Sequence, residues 1–459
     1  MVLIKNAIVL TMNNSREVIR DGAIAIDGEN IKEVGKTQEL VDKYQYDEVI
    51  DGRDKLVMPG FVAAHVHLFQ TLYRGMGDDM CLSDWLRKCI FPLSEYLDEE
   101  ASCVGAELSS VELLRSGVTT YVDSHYINHD KRVYDGIARG TLNTGIRGVI
   151  GRSSVNNTAA SLPKFCEDID TAQRECARVI ETYHNYGDGL LNVRVEPLNE
   201  FSATSEMIVA MHDVAKQYHV GMSMHLAESR DRYDGVMEKY GMTPVCYLDK
   251  LGVLGKETLL AHCVWLNAET DLPLLKSSGT SVVYNSVSNQ YLADGIADVQ
   301  AMLDAGITVA LGPDGAASNN SLNMFGVLKS AVLLQRAKTL DVFSLTAERA
   351  LEMATIDGAK AIGMEDKIGS LEPGKRADIL MLDLNDLTMT PKKSCISTIV
   401  YSANTTAVDT VIVDGKIVMK KSEFVFLDEH AVYAKANDTL EWLIQKSNYA
   451  FSPCKWPVR

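Results

Sequence analysis

The chain has 459 residues, 46% hydrophobic and 23% charged, with a formal net charge of −17 at pH 7. This is a globular composition with length enough for a large core, and an acidic chain with no basic cluster excludes nucleic acid and anionic membrane surfaces as expected partners. No apolar run reaches the ~20 residues of a membrane span, and the nine cysteines form no Cys-x-x-Cys pair, so reduced thiols in a cytoplasmic protein are expected.

The N-terminus, Met1-Val2-Leu3-Ile4, reads as a strand and not as a signal peptide. Residues 1–57 read as short strands, Leu3 to Met12, Gly22 to Asp27 and Ile31 to Val34, bounded by Asp27-Gly28 and Asp51-Gly52 turns. A matching set lies near the other end: Ala377 to Leu384, Thr398 to Tyr401 and Val408 to Met419, with Asp414-Gly415 as a hairpin turn. Neither set closes a useful sheet alone, so residues 1–57 and 366–427 are expected to combine into one small β-sandwich.

Residues 58–365 alternate short apolar strands with amphipathic helices. The strands are the segment feeding His65, then Thr119 to Asp123, Ile146 to Gly151, Leu191 to Pro197, Gly221 to His225, Thr258 to His262, Ser281 to Asn285 and Thr308 to Asp314. Eight such units predict an α/β fold, a (β/α)₈ TIM barrel carrying the chemistry at the C-terminal strand ends. Leu345 to Ile362 reads as a closing helix. Residues 428–459 read as a C-terminal helix followed by an extended tail.

The polar residues His65, His67, Asp123, His225, His262 and Asp314 all fall at predicted strand ends. Residues i and i+2 of a strand share a side, so His65 and His67 can aim two imidazoles at one point. Two converging neutral imidazoles suit a divalent transition metal. His225 ends another strand, and Glu228 follows at a loop start, where a carboxylate could take a proton from a metal-activated water. His262 could orient that water or polarise the bond being broken. Asp314 could complete the ligand set or accept a hydrogen bond from the water. The fourth strand carries no lysine that could bridge two metals, so one metal per chain is expected.

These residues, with their surroundings, resemble the amidohydrolase superfamily, in the branch of triazine hydrolases and adenosine-type and guanine-type deaminases. The resemblance rests on Pro59-Gly60-Phe61 through His65-Val66-His67, Thr71-Leu72-Tyr73-Arg74-Gly75, His225 to Glu228, and Tyr240-Gly241-Met242-Thr243-Pro244. It continues through Ala261-His262-Cys263, Ser288-Asn289, Asp314 to Asn320 and Glu372-Pro373-Gly374-Lys375-Arg376-Ala377-Asp378. It implies metal ligands at His65, His67, His225 and Asp314, with Glu228, His262 and Asp314 as the catalytic groups and Zn²⁺ or Fe²⁺ as the metal.

Gln70, Trp85, Arg152, Asn199, Ser318 and Asn319 are the candidate substrate contacts, with Phe69 and Tyr73 nearby. Deaminases of methylthioadenosine and adenosylhomocysteine usually carry a ribose-binding Glu after the Trp-Leu helix and a His after the fourth strand. The aligned positions here are Ser94, with Glu95 next to it, and Asn199. Gly315 departs from the polar residue that the triazine enzymes tend to have.

The expected function is a metal-dependent aminohydrolase displacing an amino group from an N-heteroaromatic ring, s-triazine-type or purine/pyrimidine-like. The alternatives are a methylthioadenosine/S-adenosylhomocysteine deaminase, a triazine hydrolase releasing chloride or alkylamine, and an inactive barrel that binds a ligand. A homodimer or higher homo-oligomer is expected from the resemblance and from the C-terminal extension.

Overall fold

The computed structural model describes residues 1–450. The expected tail, with Cys454, lies outside the described residues; the other eight cysteines are free.

The chain begins with β1 (Val2–Leu10), β2 (Val18–Asp27), β3 (Asn30–Lys36), β4 (Glu48–Asp51) and β5 (Lys55–Pro59). It then enters the parallel region: β6 (Phe61–His67), β7 (Val118–His125), β8 (Arg147–Ser154), β9 (Leu191–Pro197), β10 (Met222–Leu226), β11 (Thr258–His262), β12 (Ser281–Tyr284), β13 (Val309–Leu311) and β14 (Asp314–Gly315). It returns through β15 (Ile379–Asp383), β16 (Val408–Val413), β17 (Lys416–Lys420) and β18 (Glu423–Phe424), and ends in the helix Glu429–Ser447.

Strands β6 to β14 form one curled parallel sheet in the order β13-β12-β11-β10-β9-β8-β7-β6-β14. Its two ends are neighbours in sequence. β13 pairs with β12 and β14 pairs with β6, and only Gly312 and Pro313 separate β13 from β14. Every residue of β6, β7, β8, β10, β11 and β12 is buried, the pattern of parallel strands covered on both faces. The covering helices start at local signals. Asp98 accepts from Ala101 N before Glu99–Arg115, and Thr243 accepts from Cys246 N before Pro244–Leu251, which has proline in its first turn.

The strands from the two chain ends form a single mixed sheet, ordered β18-β17-β16-β15-β5-β1-β2-β3, with β4 on β1. Leu56 to Met58 belong to it, as β5 paired antiparallel with β15. The chain turns into the parallel sheet at Gly60, where a Cβ would come within 2.2 Å of the Thr119 side chain. A buried ion-pair network ties the two sheets together. Arg147, at the start of β8, donates to Asp378 at 2.9 and 3.0 Å and to Asp414 at 2.8 Å.

Two sequence expectations are corrected. Thr398 to Tyr401 is part of the helix Cys395–Tyr401, not a strand. Ile396, Ile399 and Val400 face the core at helical spacing, so tertiary packing overrides the β-branched composition. Leu345 to Ile362 is two helices, Ala347–Met353 and Ile356–Ala361, separated at Thr355, whose ψ of −92° is not helical. Among the described residues no helix is long and apolar enough to cross a membrane.

Candidate active site

Four strand ends converge. His65 and His67 come from β6, His225 from β10, His262 from β11 and Asp314 from β14, and all are buried. His67 Nε2 lies 3.2 Å and His65 Nε2 3.6 Å from Asp314 Oδ1. His225 Nε2 lies 3.3 Å from His67 Nε2. The backbone is strained where it delivers these groups. Ala227, His262, Cys263 and Asp314 have φ of 49°, 75°, 46° and 64°, a left-handed region costly for residues with a Cβ and concentrated at functional sites.

Hydrogen bonds on the far side of three of the four rings fix their tautomers. His67 Nδ1 is 2.6 Å from the Ser124 carbonyl, and His225 Nδ1 is 3.2 Å from the Leu198 carbonyl and 3.5 Å from Glu196 Oε1. Carbonyls only accept, so both Nδ1 atoms carry the hydrogen and both Nε2 lone pairs face the centre. His262 is set the other way. The amide nitrogens of Asn289 and Asn285 lie 3.0 and 3.4 Å from its Nδ1, and an amide nitrogen only donates. Nδ1 of His262 is therefore the acceptor, and its Nε2 bears hydrogen. That Nε2 points to Glu228 Oε1 at 3.7 Å and Asp314 Oδ2 at 3.9 Å.

The donor set fits a divalent cation. Two imidazole lone pairs face each other beside a carboxylate, and the buried His65 Nε2 has no hydrogen-bond partner. His65, His67 and Asp314 form one cluster of ligand atoms, and His65, His225 and His262 another, each within 4.8 Å. Burial opposes ionisation of Asp314, yet His65 and His67 hold its carboxyl well below the usual carboxylate range. Burial, reinforced by Asp294 and Asp314, pushes Glu228 well above its usual value. Burial lowers His262 to about 3, keeping it neutral.

These groups open onto a cavity enclosing about 750 Å³ of space between atoms, the solvent at its mouth included. Its walls are mainly aromatic and aliphatic, with Trp85, Phe91, Tyr126, Phe165 and Phe201 among them. Of the candidate substrate contacts, Trp85, Asn199 and Ser318 line it.

Gln70, Arg152 and Asn319 do not. Arg152 is 2% exposed and paired with Glu167 at 2.9 Å, so its charge is already spent inside the protein. Asn319 donates to the Pro313 carbonyl at 2.6 Å, bracing the Asp314 loop. Gln70 donates to Tyr126 OH at 3.1 Å and packs on Gly315. A Cβ on Gly315 would fall 1.8 Å from Gln70 Oε1, which accounts for glycine at that position. Ser94 is buried against Tyr73, with its Oγ 3.4 Å from the tyrosine OH.

The site also contains groups the sequence reading did not assign. Tyr126, Glu200 and Arg232 line the cavity. Asn289 orients His262, and Glu196 lies behind His225. Asn289 belongs to the Ser288-Asn289 pair that carries part of the family resemblance; the others carry no local signature.

The chain belongs to the amidohydrolase family, whose pattern matches residues 56–418. It is 37% identical over 444 residues to the 5-methylthioadenosine/S-adenosylhomocysteine deaminase of Caldanaerobacter subterraneus subsp. tengcongensis, covering 97% of this chain and 99% of that one. Among solved structures it resembles a zinc-bound adenosine deaminase from Xanthomonas campestris, with a TM-score of 0.90, 28% identity and coverage of 97% and 98%. It also resembles the zinc complex of atrazine chlorohydrolase TrzN from Arthrobacter aurescens, with a TM-score of 0.89, 26% identity and coverage of 96% and 100%. The chain is thus an enzyme of the branch that holds adenosine-type deaminases and triazine hydrolases.

Proposed function

We propose that this enzyme hydrolyses an exocyclic amino group from an N-heteroaromatic ring, releasing ammonia and leaving an oxo group on the ring carbon. The observation carrying this reading is the split of tautomers. His67 and His225 turn lone pairs toward Asp314 and His65, whereas His262 turns an N–H toward Glu228.

In this reading His65, His67, His225 and Asp314 hold one divalent metal, most simply zinc. A bound ion would supply a water nucleophile activated at neutral pH. Glu228, facing the same centre as His262, would take a proton at its carboxylate and pass it toward the ring nitrogen and the departing amine. His262 donates from Nε2 to the negative charge that develops at the reacting carbon's oxygen. Trp85, Tyr126 and Phe201 offer flat apolar faces to the ring and exclude bulk water.

Ser94, turned onto Tyr73 away from the cavity, favours a ring without ribose over a methylthioadenosine-type nucleoside. The same proposal covers the architecture. Residues 58–365 are a (β/α)₈ barrel, residues 1–57 and 366–427 its accessory β-sandwich, and residues 428–459 a C-terminal extension of a cytoplasmic homo-oligomer.

The test is ammonia release by purified, metal-analysed protein across aminotriazines, aminopyrimidines, pterins, guanine and adenine nucleosides. Release from one group, abolished by chelation, is the expected result. Release of chloride or alkylamine in place of ammonia would overturn the deaminase assignment.

A further inference from the structure

Arg232 is the one lysine or arginine lining the cavity among the described residues. It sits in the first turn of the helix Arg230–Tyr240, and its guanidinium lies 4.6 Å from the centre of the Phe201 ring. Its neighbour Arg230 is spent on Asp234 at 2.8 Å. Arg232 has no ion pair or hydrogen bond with any described residue. A guanidinium stacked on an aromatic face keeps its in-plane N–H donors free along its edge.

The acids around it make this notable. Glu200, Glu228 and Asp294 all feel its charge, yet none forms an ion pair or hydrogen bond with it. In a chain of net charge −17, a half-buried arginine held on a ring and kept out of an ion pair is a group whose donors remain for a ligand.

We propose that Arg232 is the specificity-determining contact of this cavity, donating to an oxygen carried by the heterocycle. The preferred substrates are then amino-oxo rings in preference to rings bearing amines alone. A planar ring between the aromatic walls would present such an oxygen in its own plane, the direction in which a stacked guanidinium donates. The proposal rests on the deaminase reading of the same cavity.

The experiment compares matched probes: guanine with 2-aminopurine, isocytosine with 2-aminopyrimidine, and ammeline with melamine. Turnover is measured for the wild type, Arg232→Gln and Arg232→Lys. Calorimetric binding of hypoxanthine against purine to the zinc-loaded wild type and variants gives a readout that needs no turnover, so failure of the deaminase reading and failure of this one are distinguishable. Wild type should prefer the oxo member, chiefly through KM. Arg232→Gln should cut that preference about tenfold or more, the usual effect of losing a charged hydrogen bond, with Arg232→Lys between the two. Equal losses on both members of a pair, or indifference or silence across every pair in turnover and binding, would overturn it.

Discussion

Asn289 donates its side-chain amide to Nδ1 of His262 at 3.0 Å. Asn289, with Asn285 at 3.4 Å behind the same nitrogen, thereby sets His262 to present a hydrogen and not a lone pair to the cavity. Asn289→Leu should leave the fold and metal content near wild type but lower kcat by about 10- to 100-fold, the usual range for a lost orienting partner. KM should move less, because Asn289 does not line the cavity. Steady-state kinetics with metal analysis checks this, and a wild-type kcat would show that Asn289 is not needed to hold the tautomer of His262.

Glu228 lies 3.7 Å from the hydrogen-bearing nitrogen of His262, and it is the group best placed to carry a proton between nucleophile and leaving amine. Glu228→Gln keeps size and polarity but cannot exchange a proton at neutral pH. The rate should fall at least about 100-fold, the lower end of general acid–base effects, with metal retained. A near wild-type rate would remove Glu228 from the mechanism.

Chelation should cost stability as well as activity. Without a cation, the inward lone pairs of His67 and His225 stand 3.3 Å apart beside the buried Asp314. A ligand bound only by the folded state, at 100 times its Kd, adds about 2.7 kcal/mol. Dialysis against a chelator should therefore lower the Tm by several degrees, and stoichiometric zinc should restore it. Full activity in metal-free protein would contradict the ligand assignment.

The converging histidines were legible because strand geometry is local. A Pro-Gly turn followed by His-x-His places both rings on one side, and the same logic reads His225, His262 and Asp314 at strand ends. The substrate contacts were less legible because side-chain pairing is not local. Arg152 looked available until Glu167, from a later loop, was found against it. The role of His262 depends on Asn289, 27 residues away on another element. Thr398 to Tyr401 misled because β-branched residues there serve a helix whose buried face is set by neighbouring helices. Arg232 was invisible as a cavity group because only the loop carrying Phe201 gives it a platform.

Arg147 is 1% exposed and neutralises Asp378 and Asp414 where the parallel sheet meets the terminal sheet. Arg147→Met strands Asp378 and leaves Asp414 with Arg376 alone, at 3.3 Å. Removing one side of a buried ion pair costs about 3–5 kcal/mol, and denaturant unfolding should show a loss of that size. Asp378→Asn added to Arg147→Met should recover part of it, since one stranded charge is gone. An additive second loss would mean that packing, and not charge, dominates at this junction.

Glu200 gives the pH prediction. It is 4% exposed, and burial raises its carboxyl from 4.5 to about 7. Between those values the folded protein keeps the proton that the unfolded chain has released. Folded stability therefore falls as pH rises through that window, by up to 1.36 kcal/mol per pH unit from this group. The contribution is fully present below about 4.5 and lost above about 7, a total on the order of 3 kcal/mol. Glu200→Gln removes the titration. Its stability relative to wild type should therefore climb from pH 4.5 to 7 and then level off. Comparing the two proteins at each pH cancels the titration of groups that do not feel the Glu200 charge, so a difference that stays flat from pH 4.5 to 8 would show that Glu200 ionises in the folded state as it does in water.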